Sequence, residues 1–97
     1  MATPETMIKS KVKRWLFAHA AWYSSISQRY VVGTPDFLCI LKTDIAGRLT
    51  AIEVKSATGR LTKMQEHEAS RMIAAGGRYY VAKGDRVGGW KLTEVTK

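Results

Sequence analysis

The stretch Gly33-Thr34-Pro35-Asp36-Phe37-Leu38-Cys39-Ile40-Leu41, followed by Lys42-Thr43-Asp44-Ile45-Ala46-Gly47-Arg48 and then Leu49-Thr50-Ala51-Ile52-Glu53-Val54-Lys55, decides the fold. Phe37 to Leu41 and Leu49 to Val54 are apolar and β-branched enough to read as strands. Asp44-Ile45-Ala46-Gly47 between them has the chemistry of a short hairpin loop, with Gly47 free to take positive φ. If the loop is those four residues, Thr43 faces Arg48, Asp36 lies opposite Lys55, and Glu53 sits on the diagonal. Side chains two apart on a strand share a face, so Asp36, Glu53 and Lys55 all project to one side. A two-residue loop keeps that parity, whereas a three-residue loop inverts it.

Two carboxylates and one ammonium beside apolar residues suit phosphodiester hydrolysis. The acids can hold a hard cation that polarises the phosphate and lowers the pKa of a water, and the lysine can orient that water or meet charge developing on phosphorus. The plainer alternative is a solvated cross-strand ion pair, a common fate of Glu-x-Lys on a strand. Pro35-Asp36, followed after sixteen intervening residues by Glu53-Val54-Lys55, resembles the signature of the PD-(D/E)xK nucleases. Gly33-Thr34-Pro35-Asp36, Gly59-Arg60-Leu61-Thr62, Gln65 and Gly76-Gly77 resemble its VRR-NUC branch, the virus-type replication and repair nuclease domain, over most of the chain from Glu5 to Ala82. The resemblance implies a metal-dependent DNA endonuclease. Asp36 and Glu53 would be Mg²⁺ or Mn²⁺ ligands, the Val54 carbonyl a further ligand, and Lys55 the residue that activates water. A glutamate on the first helix completes the metal site in such domains, and Glu5 is the matching position.

Ninety-seven residues are expected to form one domain spanning 1–97, with a single core. Sixteen basic residues against eight acidic ones give a net charge of +8, which favours a polyanionic partner. Cys39, the one cysteine, lies in an apolar strand and reads as a small buried hydrophobe; it permits no intrachain disulfide, and no Cys/His cluster has zinc spacing. With no signal-peptide pattern and no apolar run near membrane-spanning length, the expectation is a cytoplasmic protein that engages no membrane, in keeping with a virus- or phage-encoded enzyme acting in its host cell.

Thr3 and Pro4 form a helix start, and the pattern from Glu5 to about Ala21 is helical. Ile8, Val12, Trp15, Leu16 and His19 fall on one stripe, with Glu5 a turn before Ile8; an acid there also simply suits a helix N-terminus. Lys9, Lys11, Lys13 and Arg14 lie off the stripe, as either a solvated face or a phosphate-contacting surface, and the net charge favours the second. Lys9, Lys13, Arg14, Arg29, Arg60 and Lys63 are the expected nucleic-acid contacts. Tyr23, Ile26, Tyr30, Val31 and Val32 suggest an irregular strand between Trp22 and Val32. Its aromatics can stack on bases, though core or dimer packing is commoner.

Thr62-Lys63-Met64-Gln65 fits a capping box that opens a helix from Lys63 to Ala75, stopped by Gly76-Gly77. Leu61, Gln65, Ala69 and Met72 share its inward face, so Gln65 is a polar residue in an apolar stripe and needs partners. The capping box can supply them. So can the site, as the family resemblance implies. Arg78 to Ala82 reads as a strand parallel to one hairpin strand after a right-handed crossover, and Trp90 to Val95 as a short edge strand. The expected architecture is a single small α/β domain of the PD-(D/E)xK, restriction-endonuclease-like kind: a mixed sheet flanked by helices. Stand-alone domains of this branch resemble virus-encoded resolvases, which implies a homodimer acting on branched DNA such as four-way junctions. The alternatives are a flap or single-strand nuclease of the same fold, or a nucleic-acid-binding module without cleavage.

Overall fold

A computed structural model of the chain describes residues 3–26 and 33–96. Helix α1 (Pro4–His19) is followed by strands β1 (Ala20–Ser25), β2 (Phe37–Leu41) and β3 (Thr50–Lys55), helix α2 (Lys63–Ala74), and strands β4 (Arg78–Gly84) and β5 (Trp90–Glu94). The strands form one sheet in the order β1-β2-β3-β4-β5. Only β3 and β4 are parallel, joined by the α2 crossover, and every other neighbouring pair is antiparallel. Among the described residues, no helix is long and apolar enough to cross a membrane.

Strand alternation divides the interior into two layers. Ile8, Val12 and Leu16 of α1 pack with Phe37, Cys39, Leu41, Ile52, Val54 and Ala82 on one face of the sheet. Ala69 of α2 packs with Ala51 and Tyr79 on the other, flanked by Leu38, Leu61, Met72 and Val95. The result is an α/β domain whose mixed sheet lies between two helices. Cys39 is buried, and burial pushes its thiol up to about 11, so it behaves as a core residue and not a nucleophile.

The sequence places α1 well except at its end. Thr3 caps it by accepting a hydrogen bond from the Thr6 amide, and Pro4 fills the first turn. The helix stops at His19, two residues short of the expected Ala21, because Ala20 is already extended and buried as the first residue of β1. That strand overlaps the region read as irregular only from Trp22 to Ser25, and its one register shift lies at the region's start, between Ala20 and Trp22. Tyr30, Val31, Val32 and Arg29 lie outside the described residues.

The hairpin register differs from expectation by two residues. Phe37 pairs with Ile52, Leu38 with Ala51 and Cys39 with Thr50, so continuing the ladder puts Asp36 opposite Glu53 and makes Lys55 the diagonal neighbour. The connection runs from 42 to 49 instead of being confined to four residues. Its lengthening has a cause in Asp44, which is buried and not a solvated turn residue. Asp44 accepts hydrogen bonds from the Ala46 amide, Arg48 Nε at 3.0 Å and Arg78 Nη1 at 3.3 Å, which pin the loop against the start of β4. A shift of two leaves every side chain on its expected face.

Candidate active site

The hairpin and α2 meet at the end of the sheet formed by the start of β2 and the end of β3. Asp36 is held just before β2, after Gly33, whose φ of +90° suits glycine. A side chain there would also meet the Met64 carbonyl oxygen at 3.0 Å, so the approach to Asp36 runs closely against α2. Asp36 is only 3% exposed, and its Oδ2 accepts a 2.8 Å hydrogen bond from the Val54 amide. The same contact locks the acid to β3.

Glu53 is equally buried at 3%. Its Oε2 accepts a 3.0 Å hydrogen bond from Gln65 Nε2 and lies 3.7 Å from Lys55 Nζ. Gln65 fills both of the roles open to it. Its Oε1 accepts from the Thr62 amide at 2.9 Å while Thr62 Oγ1 accepts from the Gln65 amide, completing the capping box. Its remaining amide group is thereby directed at Glu53. Lys55 runs along the backbone at Gly59, where an added methyl would lie 3.3 Å from Lys55 Cβ, so glycine gives the lysine stem room. Burial of two carboxylates is costly unless each is paired, and here each has a cation and an N–H donor.

The cation on Asp36 comes from α1. Lys9 Nζ sits 3.1 Å from Asp36 Oδ1, with its side chain 35% exposed. The expected nucleic-acid contact Lys9 thus has a partner within the chain: it follows buried Ile8, and its long stem reaches round the sheet end to the acid. Helical periodicity alone does not show that reach. Glu5, one turn earlier, is half-buried in the first turn, and no three of the His, Cys, Asp and Glu side chains among the described residues are grouped closely enough to hold a metal ion. The structure therefore draws Asp36, Glu53, Lys55 and Gln65 together, adds Lys9, and does not gather Glu5 into a three-acid cluster.

The remaining expected contacts are dispersed. Lys13, Arg14, Arg60 and Lys63 are exposed, and Lys11 donates to the Gly88 carbonyl in the β4–β5 loop. His19 is exposed and not in the core stripe; its ring stacks on Trp15 at 4.4 Å, and Trp15 meets Trp90 edge-on at 6.0 Å. A further residue missed in the sequence is Tyr79, buried beneath the acids on the α2 face with no hydrogen-bond partner for its hydroxyl among the described residues. Burial, then the negative charges of Glu53, Asp36 and Glu68, push its phenol well above the usual tyrosine range. Nothing in an Arg-Tyr-Tyr-Val strand distinguishes it from an ordinary core aromatic.

Comparison with known proteins agrees with this geometry. The VRR-NUC domain family model matches residues 5–86, which contain Lys9, Asp36, Glu53, Lys55 and Gln65. A solved VRR_NUC domain is 26% identical, with 87% of each chain covered and a TM-score of 0.69. The fold is also that of Hjc, a Holliday junction resolvase from the archaeal hyperthermophile Archaeoglobus fulgidus, at 17% identity, with 92% of this chain and 75% of that chain covered and a TM-score of 0.67. No curated protein matches the sequence significantly. With a family match across most of its length and the acid-lysine set held in one place, the chain belongs to the VRR-NUC nuclease domain family.

Proposed function

We propose that the chain is a divalent-metal-dependent DNA endonuclease that hydrolyses phosphodiester bonds in branched DNA. The observation that carries this reading is the convergence of two buried carboxylates with Lys55 and Gln65 at one end of the sheet. The donor set fits Mg²⁺ or Mn²⁺: both acids are hard oxygen ligands, and Mg²⁺ is usually held by one or two carboxylates, waters and substrate phosphate. Asp36 and Glu53 would hold the ion, with the Val54 carbonyl as a further oxygen ligand. When bound, the ion supplies Lewis acidity toward the phosphate and lowers the pKa of a water.

The chain's own residues do the positioning. The Val54 amide fixes one oxygen of Asp36, and Gln65 fixes the orientation of Glu53. Lys55, with its side chain 12% exposed, orients the attacking water and meets negative charge developing on phosphorus, where low solvent exposure strengthens its field. Likeness to a fold whose archaeal example is a junction resolvase supports branched DNA as the substrate, and one acid-lysine set among the described residues supports a dimer for paired cuts.

The test is incubation of purified protein with labelled linear duplex, flap, single strand and four-way junction, with and without Mg²⁺. Metal-dependent cutting with preference for the junction is the expected result. Flap or single-strand preference would reassign the substrate. Tight binding without cutting would make the chain a non-catalytic binding module.

A further inference from the structure

The sheet register lines up three lysines beyond the acidic centre. Lys55 on β3 is directly opposite Lys83 on β4, and Lys83 is directly opposite Lys91 on β5. Directly paired residues share a face, and this is the α2 face, since Tyr79 and Val95 lie an even number of residues from Lys83 and Lys91 and pack in the α2 layer. At about 4.8 Å between strands, the row extends about 10 Å from the active-site lysine. Lys55 and Lys83 are both half-buried, and Lys91 is exposed. Among the described residues, no carboxylate comes within ion-pair distance of Lys83 or Lys91.

Like charges directly opposite on adjacent strands destabilise a sheet. Here two such pairs follow in succession, and among the described residues only Lys55 has a carboxylate, Glu53 at 3.7 Å, to offset the repulsion. A lysine on the edge strand is a known guard against edge-to-edge pairing and accounts for Lys91, but Lys83 lies on an inner strand where no such guard is needed. A polyanion laid across the row turns the repulsion into attraction.

Resting on the nuclease reading above, we propose that Lys83 and Lys91 extend the site as a phosphate track, so that the DNA strand on one side of the scissile phosphate leaves Lys55 across β4 and β5. The row matches the axial rise of about three nucleotides of duplex at 3.4 Å each. Both lysines contact phosphates that do not react, so they contribute binding and direction and no chemistry.

The experiment uses the full chain and a labelled four-way junction. The Lys83→Gln/Lys91→Gln variant should bind more weakly, and the slope of log affinity against log salt should flatten by between one and two. Lys91→Glu, which places a carboxylate opposite Lys83, should raise the melting temperature of the free protein while weakening binding; a merely solvated lysine face would change the melting temperature alone. Lys91→Cys carrying a photoreactive label should crosslink DNA within a few nucleotides on one side of the cut. A double variant with unchanged affinity and salt slope, or crosslinks spread evenly about the cut, overturns the track while the nuclease reading stands. Wild-type protein that neither binds nor cuts any DNA overturns both.

Discussion

At the scale of single residues, the site is a balance of charges around two buried acids. Asp36→Asn or Glu53→Gln should abolish Mg²⁺-dependent cleavage while leaving DNA binding equal or slightly tighter, since each removes a negative charge that faces phosphate; gel-resolved cleavage and anisotropy on the same samples check it. Full activity in either variant would remove that acid from the mechanism. Lys9 offers a finer test, because its ammonium sits on Asp36 Oδ1, where it would compete with a cation for the acid. Lys9→Met should cost the metal-free protein about 1–2 kcal/mol, a charged contact discounted for partial exposure, and should tighten Mn²⁺ binding measured by calorimetry. Weaker Mn²⁺ binding would instead make Lys9 a residue that orients Asp36. The acid-lysine set was legible in the sequence because a strand's period of two is insensitive to an error of two in register. Lys9 was not legible, because helical periodicity says which residues face the core and nothing about where a long stem at the sheet's end will reach.

At the scale of elements, α2 and the long hairpin loop each serve two ends. Thr62 and Gln65 start the helix, and Gln65 also aims its amide at Glu53, so cap and site can be separated. Thr62→Ala should cost about 1 kcal/mol of stability with cleavage retained. Gln65→Glu keeps an oxygen for the cap yet sets a second acid against Glu53, so it should lower cleavage far more than Thr62→Ala at comparable melting temperature. Equal loss of activity in the two variants would reduce Gln65 to a cap. At the opposite end of β3, Arg78 bonds Asp44 in the β2–β3 loop and Glu94 on β5. Burial works against ionised Asp44, but hydrogen bonds from Arg48 and Arg78 prevail and hold its carboxyl below the usual range; the Arg78 hydrogen bond is the main cause of the same shift at Glu94. Both acids therefore have lower pKa values folded than unfolded. Their stabilisation is present above the ordinary carboxylate pKa of about 4 and is lost as pH falls below it through the lowered values. Arg78→Met should melt lower than wild type at pH 7, and the gap should narrow toward pH 3 in a melting series. A gap that is constant with pH would make Arg78 a packing residue. This cluster could not be read from the sequence, since Asp44 looked like one more turn residue and its partner Arg78 lies beyond the α2 crossover.

At the scale of the whole molecule, topology brings the chemistry to one end of a sheet whose central pairs are hairpin and crossover. The order of elements and the parallel β3–β4 pair follow from a β-β-α-β pattern, whereas the lysine row across β3, β4 and β5 depends on a register that no local pattern specifies. The same economy bears on assembly. The described residues hold one acid-lysine set, and resolving a branch needs two incisions on different strands, so a two-fold pair of chains would supply sites related by the symmetry of a four-way junction. Apolar surface for such a pair exists on the described residues: Phe17 is 77% exposed on α1 and Trp22 49% exposed on edge strand β1. Light scattering at micromolar concentration should give twice the chain mass of 10.8 kDa, and junction cleavage should leave symmetric nicks across the branch. Mixing wild type with Glu53→Gln should yield a population of single-nicked junctions, because a mixed dimer carries only one competent site. A monomer, or double incision at undiminished ratio in the mixture, would remove the paired resolvase while leaving the single-site nuclease in place.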